Sequence, residues 1–336
     1  MWTGGQKYED DFIPTTHLWI YHPEQNTFEM KKLSGDIPKL RQFAAAGVIG
    51  DNVFLFGGTS EGSKHLNDIH ALDLKSMKCQ ELRPIHNPSP RRNMSSWVWN
   101  ATFYVWRGWV EDYSNPEYIS QHGIVQDDGR QREGRTDQLV AFVDGDWTAV
   151  ETSGPKPSPG NCAVSPISWD GRVFTIGGHQ VSEPHKLFQL DMKTLKWSVL
   201  REFSGVSSLS FIREVALLGP RIIIPVGHVN DNGIYVINME TWCYERVAEH
   251  PPHYQRAPGG QGMTDATVTY VEELNKVIVF GGVDDVDLVS TTFPSKYSAK
   301  NKLSRHVIHL DVLQLFTQQQ QQQHQHQNQH QQQQEQ

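Results

Sequence analysis

The side chains best placed to do chemistry are Arg41, Arg91, Arg107, Trp109, His179, His228 and Arg256. Arg41 and Arg91 close two copies of Pro-x-x-Arg, Pro38 to Arg41 and Pro88 to Arg91. Arg107, Trp109, His179 and His228 lie at or just after paired glycines or their degenerate equivalents. Arginines at such turns can pair bidentately with a carboxylate, and a tryptophan can anchor a partner. Alternatively, Arg41 and Arg91 tie neighbouring segments together by bonding backbone carbonyls. Motifs for bond-breaking chemistry are missing: there is no HExxH, GxSxG or GxxxxGK[ST]. Asp284-Asp285-Asp287 lacks the alternation and closing Glu of a calcium loop and reads as a solvated loop. Isolated loop histidines such as His179 and His228 are more often solvated or hydrogen-bonded than metal ligands, so no metal or cofactor is expected. Recognition is the chemistry that remains.

The positioning elements are short strands. Val53-Phe54-Leu55-Phe56 is an apolar run suited to a buried strand, and Gly57-Gly58 stops it. Paired glycines can take positive φ and let another backbone approach closely. Ile69, Leu72 and Leu74 then alternate as in a half-buried strand, and Lys75-Ser76-Met77-Lys78 turns into a last strand ending near Leu82. Such a sheet cannot hide its own faces. Its glycine pair recurs at Gly4-Gly5, Gly57-Gly58, Gly177-Gly178 and Gly281-Gly282, with Gly108-Trp109 and Gly227-His228 as degenerate copies. The spacing is roughly fifty residues, except about seventy between Gly108 and Gly177, and fifty is the period of a four-stranded propeller blade.

VFLFGG, VFTIGG and VIVFGG, with LNDIHALDL, PHKLFQLDMKTLKW and RHVIHLDV downstream, resemble the kelch repeat. The resemblance implies an all-β fold, a six-bladed kelch β-propeller over residues 1–317. The repeats fall near 1–35, 36–84, 85–153, 154–203, 204–250 and 251–317. The first blade is expected to be incomplete, because Met1-Trp2-Thr3-Gly4-Gly5 resembles the end of a second strand. The outer strand of the last blade is weak, and residues 318–336 form a glutamine-rich tail expected to be disordered. An incomplete chain is the expected reading of both ends. Pro225, inside a strand, predicts a local irregularity. The charged insertion from Val110 to Thr136 predicts a disordered or partly ordered surface segment, or a ligand-facing lid.

Ten Trp and fourteen Phe supply material for interfaces between blades. The net charge of −8 carries no basic stripe for nucleic acid, and no apolar run reaches membrane-spanning length. Cys79, Cys162 and Cys243 lie far apart and predict free buried thiols in a reducing compartment, hence the cytoplasm or nucleus. Some kelch propellers resemble galactose oxidase, whose copper site needs two His, two Tyr and a Cys joined to one Tyr. None of these three cysteines pairs with such a set, so an enzyme is not expected.

The order of MWTGG, then LWIYHPEQNTFEMKKL, and the insertion in the third repeat is similar to the kelch substrate receptors of elongin–cullin-2 ubiquitin ligases. That likeness implies capture of a protein tail and recruitment for ubiquitination. Receptors that read a C-terminal glycine carry arginines after the fourth double glycine, where this chain has His179-Gln180-Val181-Ser182-Glu183. They also carry an elongin-binding helix after the propeller, where this chain has glutamine. A peptide- or protein-binding module is therefore expected, with a structural or cytoskeletal scaffold as the alternative.

Overall fold

The computed structural model describes residues 17–60, 64–111, 124–125, 133–157, 166–176, 186–203, 215–219, 221–225, 233–249, 264–284, 302–303 and 307–311. Two compact units divide the chain, Met1–Leu200 and Arg201–Gln336. In the first unit, the second blade runs Ala45–Ile49, Asn52–Phe56, Ile69–Asp73 and Lys78–Leu82, each strand antiparallel to the next. The third runs Ser95–Trp99, Thr102–Trp106, Leu139–Val143 and Asp146–Val150 in the same order. The fourth consists of Ile167–Trp169, Arg172–Ile176, Lys186–Asp191 and Lys196–Glu202. The described part of the first blade is the pair His17–His22 and Thr27–Lys32. In the second unit, the fifth blade is Ala216–Leu218, Arg221–Pro225, Gly233–Asn238 and Tyr244–Glu249. The sixth pairs Thr264–Val271, Lys276–Asp284 and Val307–Asp311, with Lys302–Leu303 against the end of Lys276–Asp284. The blades are all-β and of the kelch type.

Alternate residues of each strand face a neighbouring blade, and that is where the core lies. Between the second and third blades, Phe56, Ile69, Phe103, Val105 and Trp147 share one cluster, with the Phe56 and Trp147 rings 4.7 Å apart. Between the third and fourth, Trp97, Trp106, Leu190 and Trp197 share another, and Trp106 stacks on Trp197 at 4.7 Å. Leu18 and Leu33 meet Leu72 and Cys79 between the first and second. Burying one such large side chain is worth about 1.5–3 kcal/mol.

Two local devices repeat with the blades. In the second, fourth and fifth blades the turn between third and fourth strands is an Asx turn. Asp73 Oδ1 accepts from the Lys75 and Ser76 amides at 3.0 and 2.6 Å, and Asp191 Oδ1 from those of Lys193 and Thr194 at 2.9 and 2.8 Å. Asn238 Oδ1 does the same for Glu240 and Thr241. Backbone donation from Ser76 and Thr194 holds the two aspartates below the usual carboxylate range. The second device is a parallel bridge between successive blades. Ser34–Gly35, leaving the first blade, pairs with Lys78 and Cys79 on the outer strand of the second. Ser153, leaving the third, pairs with Lys196 of the fourth in the same sense. Only a residue without Cβ fits beside these bridges. A Cβ on Gly35 would lie 2.2 Å from the Cys79 carbonyl oxygen, and one on Gly154 would lie 2.3 Å from that of Trp197.

The glycine bends behave as expected in two blades. Gly57 and Gly58 have φ of 64° and 94°, and Arg107-Gly108 reproduces them at 64° and 122°. In the sixth blade the strand instead runs through Gly281 and Gly282 to Asp284. Gly4, Gly5, Gly177 and Gly178 lie outside the described residues. The ladder of the fifth blade shifts register between Ile234 and Tyr235, beside the position where Pro225 pairs with Ile234. Cys79 is buried as expected, but Cys243 is exposed, because it sits in the outer turn rather than on a strand. The root of the insertion is not a loose surface segment. Trp109–Glu111 pairs with both Arg91–Arg92 and Glu133–Thr136, and Ile124–Val125 adds a fourth strand. Val110 and Thr136 are fully buried.

The bridge makes Gly35 and Gly154 costlier to replace than a hairpin glycine. Gly50 has a similar positive φ of 57° but no atom within 4 Å of a built Cβ. Gly35→Ala and Gly154→Ala should each destabilise by roughly 2–3 kcal/mol, and Gly50→Ala by about 1 kcal/mol or less. Thermal melting measures this, and equal shifts for Gly35→Ala and Gly50→Ala would contradict the bridge.

Candidate functional site

Three of the arginines singled out by sequence are internal. Arg41 is 4% exposed, and Arg91 and Arg107 are 0% exposed. The Pro-x-x-Arg turn aims Arg41 at the start of the third strand of its own blade. There Nη1 and Nη2 donate to the two carboxylate oxygens of Asp68 at 2.6 and 2.7 Å, and Nη1 also donates to the Gly57 carbonyl at 3.0 Å. His70 completes the group, its Nε2 2.9 Å from Asp68 Oδ2 and its Nδ1 3.1 Å from the Asp36 carbonyl. Burial alone would raise the Asp68 carboxyl, but the bonds from His70 and Arg41 outweigh it and hold the group well below the usual carboxylate range.

Arg91 occupies the same place one blade later. It donates from Nη2 to Gln138 Oε1 at 2.9 Å and from Nε to the Ser89 carbonyl at 3.0 Å. Its backbone also joins blades, since the Gly58 amide donates to the Arg91 carbonyl and the Arg91 amide donates to that of Leu66. Arg107 holds a left-handed backbone where the second blade has glycine. Its guanidinium lies 3.8 Å from the Trp106 ring centroid, donates to Asp137 at 3.1 Å and donates to the Pro157 carbonyl. Lys156 reaches the same Asp137 at 2.5 Å. The Arg41 and Arg91 side chains brace turns within their own blades, chiefly on Asp68 and Gln138, and the Arg107 side chain reaches the next blade through the Pro157 carbonyl.

Trp109 stands apart. The insertion's small sheet has Arg91 and Val110 on its buried face, so Arg92, Trp109 and Arg135 share the other. Arg92 lies 5.9 Å from the Trp109 ring and 5.9 Å from the Phe43 ring, and Arg135 lies 4.5 Å from Trp109 on its other strand neighbour. Phe43, Arg92 and Trp109 are each half-buried, and Arg135 is 9% exposed. The row therefore alternates aromatic and cation, each contact worth about 0.5–2 kcal/mol.

His179, His228 and Arg256 lie outside the described residues. Sequence reasoning missed Asp68, Asp137 and Gln138 as arginine partners; a polar pair before the third strand, Asn67-Asp68 and Asp137-Gln138, was the available signal. It also missed Phe43, Arg92 and Arg135. Among the described residues no group of His, Cys, Asp and Glu could hold a metal ion, and no helix is long and apolar enough to cross a membrane.

Residues 1–227 match the family model described as the KLHDC2/KLHL20/DRC7 Kelch-repeats domain. Acyl-CoA-binding domain-containing protein 4 of Arabidopsis thaliana is 22% identical over 228 residues, 66% of this chain and 25% of that protein. Host cell factor 2 of Homo sapiens is 24% identical over 240 residues, 64% of this chain and 28% of that protein. Rho GTPase-activating protein gacHH of Dictyostelium discoideum is 29% identical over 153 residues, 45% of this chain and 9% of that protein. The chain thus spans about a quarter of the length of the first two.

Two measurements follow from the buried charges. Because the folded pKa of Asp68 is depressed, its contribution to stability is complete above the unfolded value of about 3.9 and is lost as pH falls below it. Asp68→Asn should melt at a lower temperature than the parent near neutral pH, and the gap should narrow as pH drops from about 5 to about 3. A constant gap would contradict the network. Arg107→Ala removes the ion pair yet keeps the left-handed backbone, and should destabilise by roughly 2–4 kcal/mol. Arg107→Gly relieves that strain and should recover about 1 kcal/mol in urea unfolding.

Proposed function

The chain belongs to the KLHDC2/KLHL20/DRC7 kelch-repeat family, whose repeats form protein-interaction modules, and from that premise we propose that it binds a protein or peptide partner on the face that carries the loops after its second strands. The observation that carries this reading is the pair Arg92 and Trp109 on a small sheet that the third blade adds to its own four strands, with the Phe43 ring before the second blade's first strand as the other aromatic neighbour of Arg92. That sheet keeps a large aromatic and a cation half-exposed at the turns. Such side chains dominate the energetics of protein interfaces. Trp109 is the partner-contacting member of the first set of candidates, while Arg41, Arg91 and Arg107 hold the turns in place. The module works in the cytoplasm or nucleus, as a non-enzymatic adaptor. Its finer role is that of a substrate-recognition subunit delivering a bound protein to an elongin–cullin-2 ubiquitin ligase, a reading supported by the order of the repeats and the site of the insertion.

Affinity purification with mass spectrometry tests both levels. Trp109→Ala should lose at least about tenfold of the captured partner, as expected for an aromatic anchor, while melting within a few degrees of the parent protein. Elongin and cullin among the captured proteins would support the ligase role. Cytoskeletal proteins in their place would make this a scaffold, and capture unaffected by Trp109→Ala would remove the site.

A further inference from the structure

The crossing between the second and third blades departs from the crossings on either side of it. Four and three places before Pro38 and Pro157 stand Ser34-Gly35 and Ser153-Gly154. Both pairs bond backbone to backbone with the outer strand they pass. The Ser34 and Asp36 amides donate to the Met77 and Cys79 carbonyls at 3.1 and 2.9 Å. The Ser153 amide donates to the Leu195 carbonyl at 3.0 Å, and the Trp197 amide donates back to that of Ser153 at 2.8 Å. The same two places before Pro88 hold Pro84 and Ile85. Proline has no amide to donate, and a β-branched residue at positive φ is a real outlier. The Cβ that Gly35 and Gly154 lack would lie 2.2 and 2.3 Å from an outer-strand carbonyl oxygen. Ile85 stands in solvent instead, 86% exposed.

A side chain does the fastening here. Asp146 opens the outer strand of the third blade, and its Oδ1 accepts from the His86 and Trp147 amides, both at 2.9 Å. Its Oδ2 lies 2.7 Å from His86 Nδ1. Trp147 holds the place of Trp197, so the carboxylate receives the amide that in the next blade donates to a backbone carbonyl. His86 faces Asp146 from the crossing loop, while Val143 and Trp147, beside it on the two strands, carry no charge. Asp144 is the other acid of the same hairpin, and Arg83 of the loop lies 3.9 Å from Glu81. We infer that the joint between the second and third blades is a releasable latch: protonating the one Asp146 carboxylate frees the crossing loop, residues 83–87, from the third blade, while the backbone-bridged joints on either side stay shut. Donation from the His86 amide and ring, and then from the Trp147 amide, holds the Asp146 carboxyl below the usual carboxylate range. Because these bonds favour the ionised form, the latch holds fully above the open-state value of about 3.9 and weakens as pH falls below it. Phe56, Phe103 and Trp147 keep the two blades stacked behind it, so release is a local opening and not unfolding.

Amide hydrogen exchange of the full chain, followed by NMR and corrected for the intrinsic rate at each pH, tests the latch. Protection of the His86 and Trp147 amides should fall at least about threefold from pH 6 to pH 3. The Asp36, Ser153 and Trp197 amides, whose acceptors are backbone carbonyls, should keep theirs. Asp146→Asn retains an oxygen acceptor but cannot titrate, and should remove the pH dependence. Asp146→Ala should show at pH 6 the low His86 protection that the parent shows at pH 3. Equal losses at Asp36 and Trp197 would make the response a general acid effect and overturn the latch. So would unchanged His86 protection in the parent, or an acid response retained by Asp146→Asn.

Discussion

Each blade is a small antiparallel sheet with two apolar faces, and its stability depends on what its neighbours place against them. Ile69 and Phe56 are fully buried only because Phe103, Val105 and Trp147 of the next blade cover them. Leu72 and Cys79, on the opposite face of the same sheet, are covered by Leu18 and Leu33. A blade contributes both a cover and a surface to be covered. This is why local strand signals are modest while the repeat as a whole is firm.

Stacking by apolar faces leaves the ends of the sheets, where backbone turns and polar groups collect, to be fixed by other means. At the outer end, aspartate or asparagine caps the turn and a seryl-glycyl bridge fastens one blade to the next. At the loop-bearing end, buried arginines do this. Arg41 and Arg91 reach the start of the third strand in their own blades, and Arg107 reaches the next blade through the Pro157 carbonyl. A buried guanidinium is tolerated only where several acceptors meet it, and each of these has them. The loop end is therefore stiff at its base. A stiff base suits a binding surface, since less motion must be frozen when a partner arrives.

The sequence showed where the strands lie because apolar alternation and paired glycines record burial directly. It also placed the degenerate bend at Arg107-Gly108, where the backbone follows Gly57-Gly58 closely. Pro-x-x-Arg located Arg41 and Arg91 without showing which way they point. Direction depends on Asp68 and Gln138, which arrive from nearly thirty and nearly fifty residues downstream. The seryl-glycyl bridge was invisible, because it is made of backbone hydrogen bonds and its only trace is a glycine. The strands Trp109–Glu111 and Glu133–Thr136 were hidden for another reason: charged and short, they lack the alternation by which a strand is recognised.

The contrast between the two Pro-x-x-Arg turns shows how a repeat acquires a site without losing its fold. Both turns need a left-handed residue two places after the arginine, and the third blade meets the need with Asn93 at little cost. The second blade meets it with Phe43, whose ring returns no buried core in exchange. The strain can be carried because Arg41, bonded twice to Asp68 and once to the Gly57 carbonyl, fixes the turn from beneath. The same division holds at Arg107, where the ion pair with Asp137 sustains a backbone that glycine would adopt freely. Stability supplied by buried charge thus supports departures from the repeat at the loop end, and those departures place Phe43, Arg92 and Trp109 side by side.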